Sequence, residues 1–196
     1  MWNKHITGIV KKANSTLAVL KRNIQVPSQT IKSAAYKALI RPHLEYCSPV
    51  WDPNTAILKN KIEMVQRRSA RWVYNYYKTG PDASFIPTTM LQQLNWPLLE
   101  TRRKIARLTL MYKMANNLVL MSYRSLLVRY PYGTKAMPAH AFVPMEKLPF
   151  KLYYASSFFP QTIQDWNNLP EDVADPGPPE DLKSPEDFKA SVKGLF

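Results

Sequence analysis

The sequence predicts a mainly α fold, a helical bundle followed by an irregular, proline-interrupted C-terminal extension. Three observations predict it. Apolar residues recur at three/four spacing through most of residues 1–119. The chain has 17 Pro but only 5 Gly, a balance that suits punctuated helices and extended connectors rather than glycine-turned hairpins. Hydrophobic residues make up 45% of its 196 positions, enough to build a core for one domain or one domain with an appendage. Residues 1–119 thus read as a basic helical region and 120–174 as an irregular extension with a short helix. Residues 175–183 read as a proline-rich linker and 184–196 as a short C-terminal helix.

The first helix is marked by Ile6, Ile9, Val10, Ala13, Leu17, Leu20 and Ile24, which share one face, with Lys4, Lys11, Lys12, Lys21 and Arg22 mostly off it. Pro27 stops it, since proline lacks an N–H and restricts the residue before it. Ser28 suits the N-cap of a second helix with Ile31, Ala35, Leu39 and Leu44 inward and a kink at Pro42. Residues 47–53, with Pro49 and Pro53, read as a connector. A third helix starts near Asn54 with Leu58, Ile62, Val65, Ser69, Trp72 and Tyr76 inward, and Thr79-Gly80-Pro81-Asp82 ends it.

A short helix is predicted over 88–94. A strong one follows Pro97, with Leu98, Ile105, Leu108, Tyr112 and Ala115 as its stripe and Glu100–Lys104 as an i,i+4 pair. Periodicity fades over 120–157, where an ordered wrap and short strands are both compatible with the pattern. A short helix is expected over 162–168. Ser184-Pro185-Glu186-Asp187 then combines a cap, a first-turn proline and two acids that suit the helix dipole, with Phe188, Val192 and Leu195 on one side.

Charge is concentrated in the first two thirds of the chain. Residues 1–130 hold 21 Lys and Arg against 5 Asp and Glu, and the remainder 6 against 9. Such a basic half attracts polyanions, although a basic surface also serves solubility. The first acidic residue is Glu45. With Cys47 as the one cysteine, no internal disulfide can form. The N-terminus lacks a secretory h-region, and the most apolar run, 108–121, is broken by Lys113, Asn116 and Asn117. The expectation is a nuclear or cytoplasmic chain that is not secreted and has no membrane span.

Little in the sequence points to catalysis. His5, His43 and His140 are dispersed, no Cys or His pair has ligand spacing, and no glycine-rich phosphate loop or nucleophile elbow is present. The acidic pairs Glu171-Asp172, Glu180-Asp181 and Glu186-Asp187 lie in or beside the proline-rich tail. No catalytic residue, metal site or cofactor is therefore predicted. What remains is a combination of arginines and aromatics, with Arg67, Arg68 and Arg71 on the same helix as Trp72, Tyr74, Tyr76 and Tyr77. Guanidinium groups grip phosphates and exposed rings stack on bases. Helical spacing places Trp72 and Tyr76 in the core, whereas the arginines suit either a solvated face or a phosphate contact.

Four blocks carry a family resemblance. Arg41-Pro42-His43-Leu44-Glu45-Tyr46 is followed by Val50-Trp51-Asp52-Pro53. Val65-Gln66-Arg67-Arg68-Ser69-Ala70-Arg71-Trp72-Val73 comes next, then Leu94-Asn95-Trp96-Pro97-Leu98-Leu99-Glu100-Thr101-Arg102-Arg103. The last is Ser157-Phe158-Phe159-Pro160 with Ile163-Gln164-Asp165-Trp166-Asn167-Asn168-Leu169-Pro170. In this order and spacing they resemble the region beyond the polymerase core of jockey-like non-LTR (LINE-type) retrotransposon reverse transcriptases. The stretch Trp2-Asn3-Lys4-His5-Ile6 resembles the entry from palm to thumb.

The resemblance implies a helical thumb-like bundle with a connection-like extension, gripping RNA or DNA template–primer by its backbone. The missing palm domain would be its neighbour in a full-length parent. The parent family is an RNA-directed DNA polymerase, but the aromatic-x-Asp-Asp motif of its palm is absent here. Lys11, Lys12, Lys21 and Arg22 inherit a candidate backbone contact, and Arg67, Arg68, Arg71, Arg102 and Arg103 fall in the family blocks. One departure is Gly133 to His140, which lacks the arginines that members often carry before the Phe-Phe-Pro block. The expected function is a truncated remnant that binds nucleic acid without a catalytic centre of its own. The alternatives are a helical protein-interaction module, with the basic amphipathic stretch 98–118 in a partner's groove or on an anionic membrane surface, and a translated relic without function.

Overall fold

Helix α1 spans Asn3–Asn23 and buries Ile6, Ala13, Leu17 and Leu20, with Ile9, Val10 and Ile24 packed partly against the same core. This is the stripe its spacing predicts. The structure is a computed structural model describing residues 2–76, 86–120, 127–129, 141–144, 157–174 and 182–196. Within these the fold is mainly α. No helix among them is long and apolar enough to cross a membrane. The chain divides into two compact units, residues 1–102 and 103–196, so packing changes partners earlier than the fading of helical periodicity at 119/120 suggests.

In the first unit, α2 (Gln29–Ala35) is capped by Ser28, whose hydroxyl accepts from the Ile31 N–H at 3.4 Å. A wide π turn over Tyr36–Ile40 joins it to α3 (Arg41–Glu45). The turn absorbs Pro42, which cannot donate to the carbonyl four residues back, and the Arg41 N–H bonds Tyr36 O instead. The expected kink is thus a local widening. The buried face also differs from the expected one. Leu44 is buried as expected, but Lys32, Tyr36 and Ile40 point inward where Ile31 and Leu39, which are exposed, were expected to. The cause is Lys32, whose ammonium reaches Asn75 Oδ1 at 2.5 Å and the Trp72 carbonyl at 3.5 Å. These groups form the C-terminal end of the next long helix, where a cation is favoured.

The connector 47–53 includes one helical turn, α4 (Ser48–Trp51), preceded by Cys47 in the left-handed region at φ 51°. The Trp51 indole is buried and donates to Tyr46 O at 2.7 Å, which closes the connector on itself. Helix α5 (Ala56–Val73) buries Ile62, Val65, Ser69 and Trp72 as expected. It ends earlier than expected: Asn75 at φ 53° turns the chain, and the Tyr76 N–H bonds Arg71 O. The proposed stop at 79–82 lies outside the described residues. Helices α6 (Ile86–Gln93) and α7 (Leu99–Ala115) end the same way. Asn95 and Asn117 are left-handed, and the following N–H reaches the carbonyl five residues back. Asparagine thus fills the usual glycine position of three helix ends.

Helix α7 is anchored at its start by α5. The Glu63 carboxylate accepts from the Glu100 N–H at 2.8 Å, Gln66 Nε2 donates to Pro97 O at 3.0 Å, and Lys59 Nζ lies 2.6 Å from Glu100 Oε1. An anion at a helix N-terminus satisfies one of its orphan donors. The Tyr36 and Trp96 rings stack at 4.0 Å in the same core.

In the second unit, α7 residues Ile105, Leu108, Met111 and Tyr112 pack with α8 (Phe158–Asn167), α9 (Glu171–Ala174) and α10 (Pro185–Gly194). Strands β1 (Leu127–Arg129) and β2 (Phe142–Pro144) pair antiparallel, with Val128 opposite Val143. The Asn167 side chain donates to Phe142 O at 3.1 Å and accepts from Phe142 N at 3.0 Å, extending the strand edge with a side-chain amide. Phe188 stacks on Tyr112 at 4.2 Å, and the Tyr112 hydroxyl donates to Lys183 O at 2.7 Å. Ser184 caps α10 as predicted, accepting from the Asp187 N–H at 3.1 Å. Leu195 is exposed rather than inward because α10 has ended at Gly194. Most of the expected linker, 175–181, and the arginine-poor stretch 133–140 lie outside the described residues.

Candidate nucleic-acid interface

Packing of α1 on α5 brings two of the predicted basic groups together. Lys21 of α1 lies beside Arg68 and Arg71 of α5, and its pKa is lowered by burial, then by Arg68 and then by Arg71. The Arg68 guanidinium donates to Asn14 Oδ1 at 3.2 Å, which ties it to α1. Three cations are thereby concentrated where the two helices meet, and the two arginines make the Lys21 charge more costly. A phosphate between them would relieve that repulsion. Lys11, Lys12 and Arg22 are exposed on the outer side of α1, and Arg67 is half-buried on α5. Among the described residues no carboxylate pairs with Lys11, Lys12, Arg22, Arg67, Arg68 or Arg71. The α1 surface lacks acids because the sequence offers none before Glu45.

The second basic cluster is placed differently. Arg102 clamps Glu45, its Nε donating to Oε1 and its Nη2 to Oε2 at 3.0 Å. Arg41 adds a longer contact to the same carboxylate at 3.7 Å. Arg103 is fully buried. Lys104 and Arg107 share Asp165 at 3.2 and 2.8 Å. The basic run 102–107 is therefore committed to ion pairing and packing within the fold. The expected Glu100–Lys104 pair is replaced by partners distant in sequence, Lys59 and Asp165. Of the nine candidate residues, the fold brings Lys21, Arg68 and Arg71 together, while Lys11, Lys12 and Arg22 lie elsewhere on α1 and Arg102 is held by Glu45.

No family model, no curated protein and no solved structure matches this chain.

Two lysines outside the predicted set also lie on these helices. Lys4 is exposed, and its spacing to Lys11 and Arg22, two and five turns on, sets the three along one side of α1. Lys61 is exposed two turns before Arg68 on α5. Their seven-residue spacing to Lys11 and Arg68 is visible in the sequence. Of the aromatics, Trp72 is buried and Tyr74 and Tyr76 are half-buried against the core, in agreement with their helical spacing. Among the described residues no three His, Cys, Asp or Glu side chains come together to hold a metal ion.

Proposed function

We propose that this chain is the thumb-like and post-polymerase region of a non-LTR retrotransposon reverse transcriptase, and that it binds RNA or DNA template–primer through the backbone without a catalytic centre of its own. The observation that carries the reading is the convergence of Lys21, Arg68 and Arg71 where α1 packs on α5, with no carboxylate partner for Arg68 or Arg71 among the described residues. The sequence blocks supply the parent family, and in that parent a palm domain would hold the catalytic aspartates. A nuclear or cytoplasmic location follows from the same reading.

The test is binding of the folded chain to labelled primer–template across a salt series. Each phosphate contact adds roughly −0.9 to the slope of log K on log salt for duplex and about −0.7 for single strands. Three to four contacts give a slope of about −3. A folded chain whose affinity ignores salt, or that does not bind, overturns the reading.

One observation favours a second reading, a helical protein-interaction module. Ile31 and Leu39 are 51% and 50% exposed on the outer side of α2 and the π turn. Capture of one defined protein that survives nuclease and is lost in Ile31→Ser/Leu39→Ser would support it. The basic helix 98–118 is a poor groove ligand, since Arg102 and Arg107 are held by Glu45 and Asp165.

A further inference from the structure

We propose that the aromatic cluster at the start of α1 is a stacking site for an unpaired nucleobase, so that the protein prefers nucleic acid with a single-stranded end. The inference rests on the nucleic-acid reading and names the part of the ligand that its backbone contacts leave undefined. His5 packs its ring against Trp51 at 5.4 Å, and Trp2 meets His5 edge-on at 6.0 Å. Trp51 is buried and fixed by its bond to Tyr46 O, so it is a rigid base for the cluster. Trp2, His5 and Tyr46 are exposed, Trp2 at 36% and Tyr46 at 79%. Burial of apolar surface accounts for Trp51 but, among the described residues, leaves part of the Trp2 and His5 rings open.

Charge complementarity selects the occupant. Residues 2–44 contain no acidic side chain, and of the two acids beside Tyr46 and Trp51, Glu45 and Asp52, Glu45 is held by Arg41 and Arg102. Lys12 lies seven residues after His5 and hence on the same face of α1, about 10 Å along the helix. Lys4 is exposed next to His5. A ring surface with cations about two helical turns away suits a strand whose base stacks while its phosphates meet lysines, because every base has a π-face and stacking tolerates any sequence. An apolar protein segment would gain nothing from the lysines.

The readout is built into the chain. Of its five tryptophans, Trp51, Trp72, Trp96 and Trp166 are buried and Trp2 is exposed, so quenching by a stacked base reports on Trp2. The full chain is titrated with three ligands: a blunt duplex, the same duplex with a short single-stranded overhang, and that overhang made abasic. The overhang is expected to bind about tenfold tighter than the blunt end and to quench, whereas the abasic overhang loses both effects. Trp2→Ala and His5→Ala should remove the preference while leaving blunt-duplex affinity unchanged, and Trp2→Phe should retain it. Equal, salt-sensitive binding of all three ligands overturns the stacking site and leaves the backbone reading standing. Binding of none by folded protein overturns both.

Discussion

Arg102 holds both carboxylate oxygens of Glu45 across 57 residues of sequence, joining α7 to α3. The bond to Glu45 is the main reason the guanidinium pKa is raised. Planar two-point pairing is a property of arginine, and lysine cannot reproduce it. Glu45→Ala and Arg102→Ala should each destabilise by about 1–3 kcal/mol, since each strands a half-buried charge. Arg102→Lys should recover only part of that loss. A double-mutant cycle in denaturant checks it: additive effects would show that the pair is not coupled.

The two arginine clusters predict opposite mutational behaviour. Arg68→Ala, Arg71→Ala and Lys21→Ala should leave folding nearly intact and each reduce the salt slope by about 0.7–0.9. Arg103→Ala should do the reverse, lowering stability through lost packing with no change of slope in the folded fraction, because Arg103 has no exposure. Thermal melts and salt-series binding on the same variants separate the two effects. A reduced slope in Arg103→Ala would place that side chain on the ligand.

How much of this was legible in sequence depends on whether partners are local. The α1 stripe, the Ser28 and Ser184 caps and the inner face of α5 follow from spacing within one turn or two, and the structure shows them. The face of α2 was misplaced by one position because Lys32 is drawn inward by Asn75 and the Trp72 carbonyl, 43 and 40 residues away. The run 102–107 looked like a surface patch because Glu45 and Asp165 lie 57 and 58 residues from their partners. A cation next to cations in sequence says nothing about a distant carboxylate. The early end of α5 is set by Asn75, whose left-handed backbone the apolar spacing through Tyr76 does not reveal.

The alkaline range distinguishes two groups. Burial, followed by the Glu45 charge, pushes the Tyr36 phenol far above its ordinary value, and the buried hydroxyl has no hydrogen-bond partner. The folded state holds that proton more tightly than the unfolded chain. Its contribution is therefore complete below the ordinary tyrosine value of about 10 and is lost as pH rises above it. Tyr36→Phe removes this loss, and at neutral pH it should cost little or stabilise by up to about 1 kcal/mol by deleting an unpaired buried group. Lys21 has the opposite sign. Its lowered pKa means that the unfolded chain binds more protons between that value and the ordinary lysine value, so this group's contribution to stability rises with pH there. Its contribution to nucleic-acid affinity should fall over the same range, and Lys21→Arg should flatten the dependence. Urea midpoints and binding constants taken from neutral pH to about pH 10 or slightly above decide both.

Asn75 and Asn95 adopt nearly the same left-handed backbone, at φ 53° and 55°, and close their helices with the same N–H to carbonyl pattern. Glycine enters that region without a Cβ penalty, whereas alanine incurs about 1–2 kcal/mol. Asn95→Gly should therefore be neutral or slightly stabilising and Asn95→Ala destabilising. Asn75 has a second role, because its Oδ1 accepts from the buried Lys32 ammonium. Asn75→Gly keeps the backbone but removes that acceptor, and the Trp72 carbonyl remains at 3.5 Å. Asn75→Gly should cost about 1–3 kcal/mol where Asn95→Gly costs nothing, since an ammonium held away from water depends on its acceptors. Adding Lys32→Met to Asn75→Gly should recover most of the loss by removing the charge. If Asn75→Gly melts with the parent chain, the Lys32–Asn75 bond contributes nothing net, and the inward turn of α2 then depends on Tyr36 and Ile40 alone.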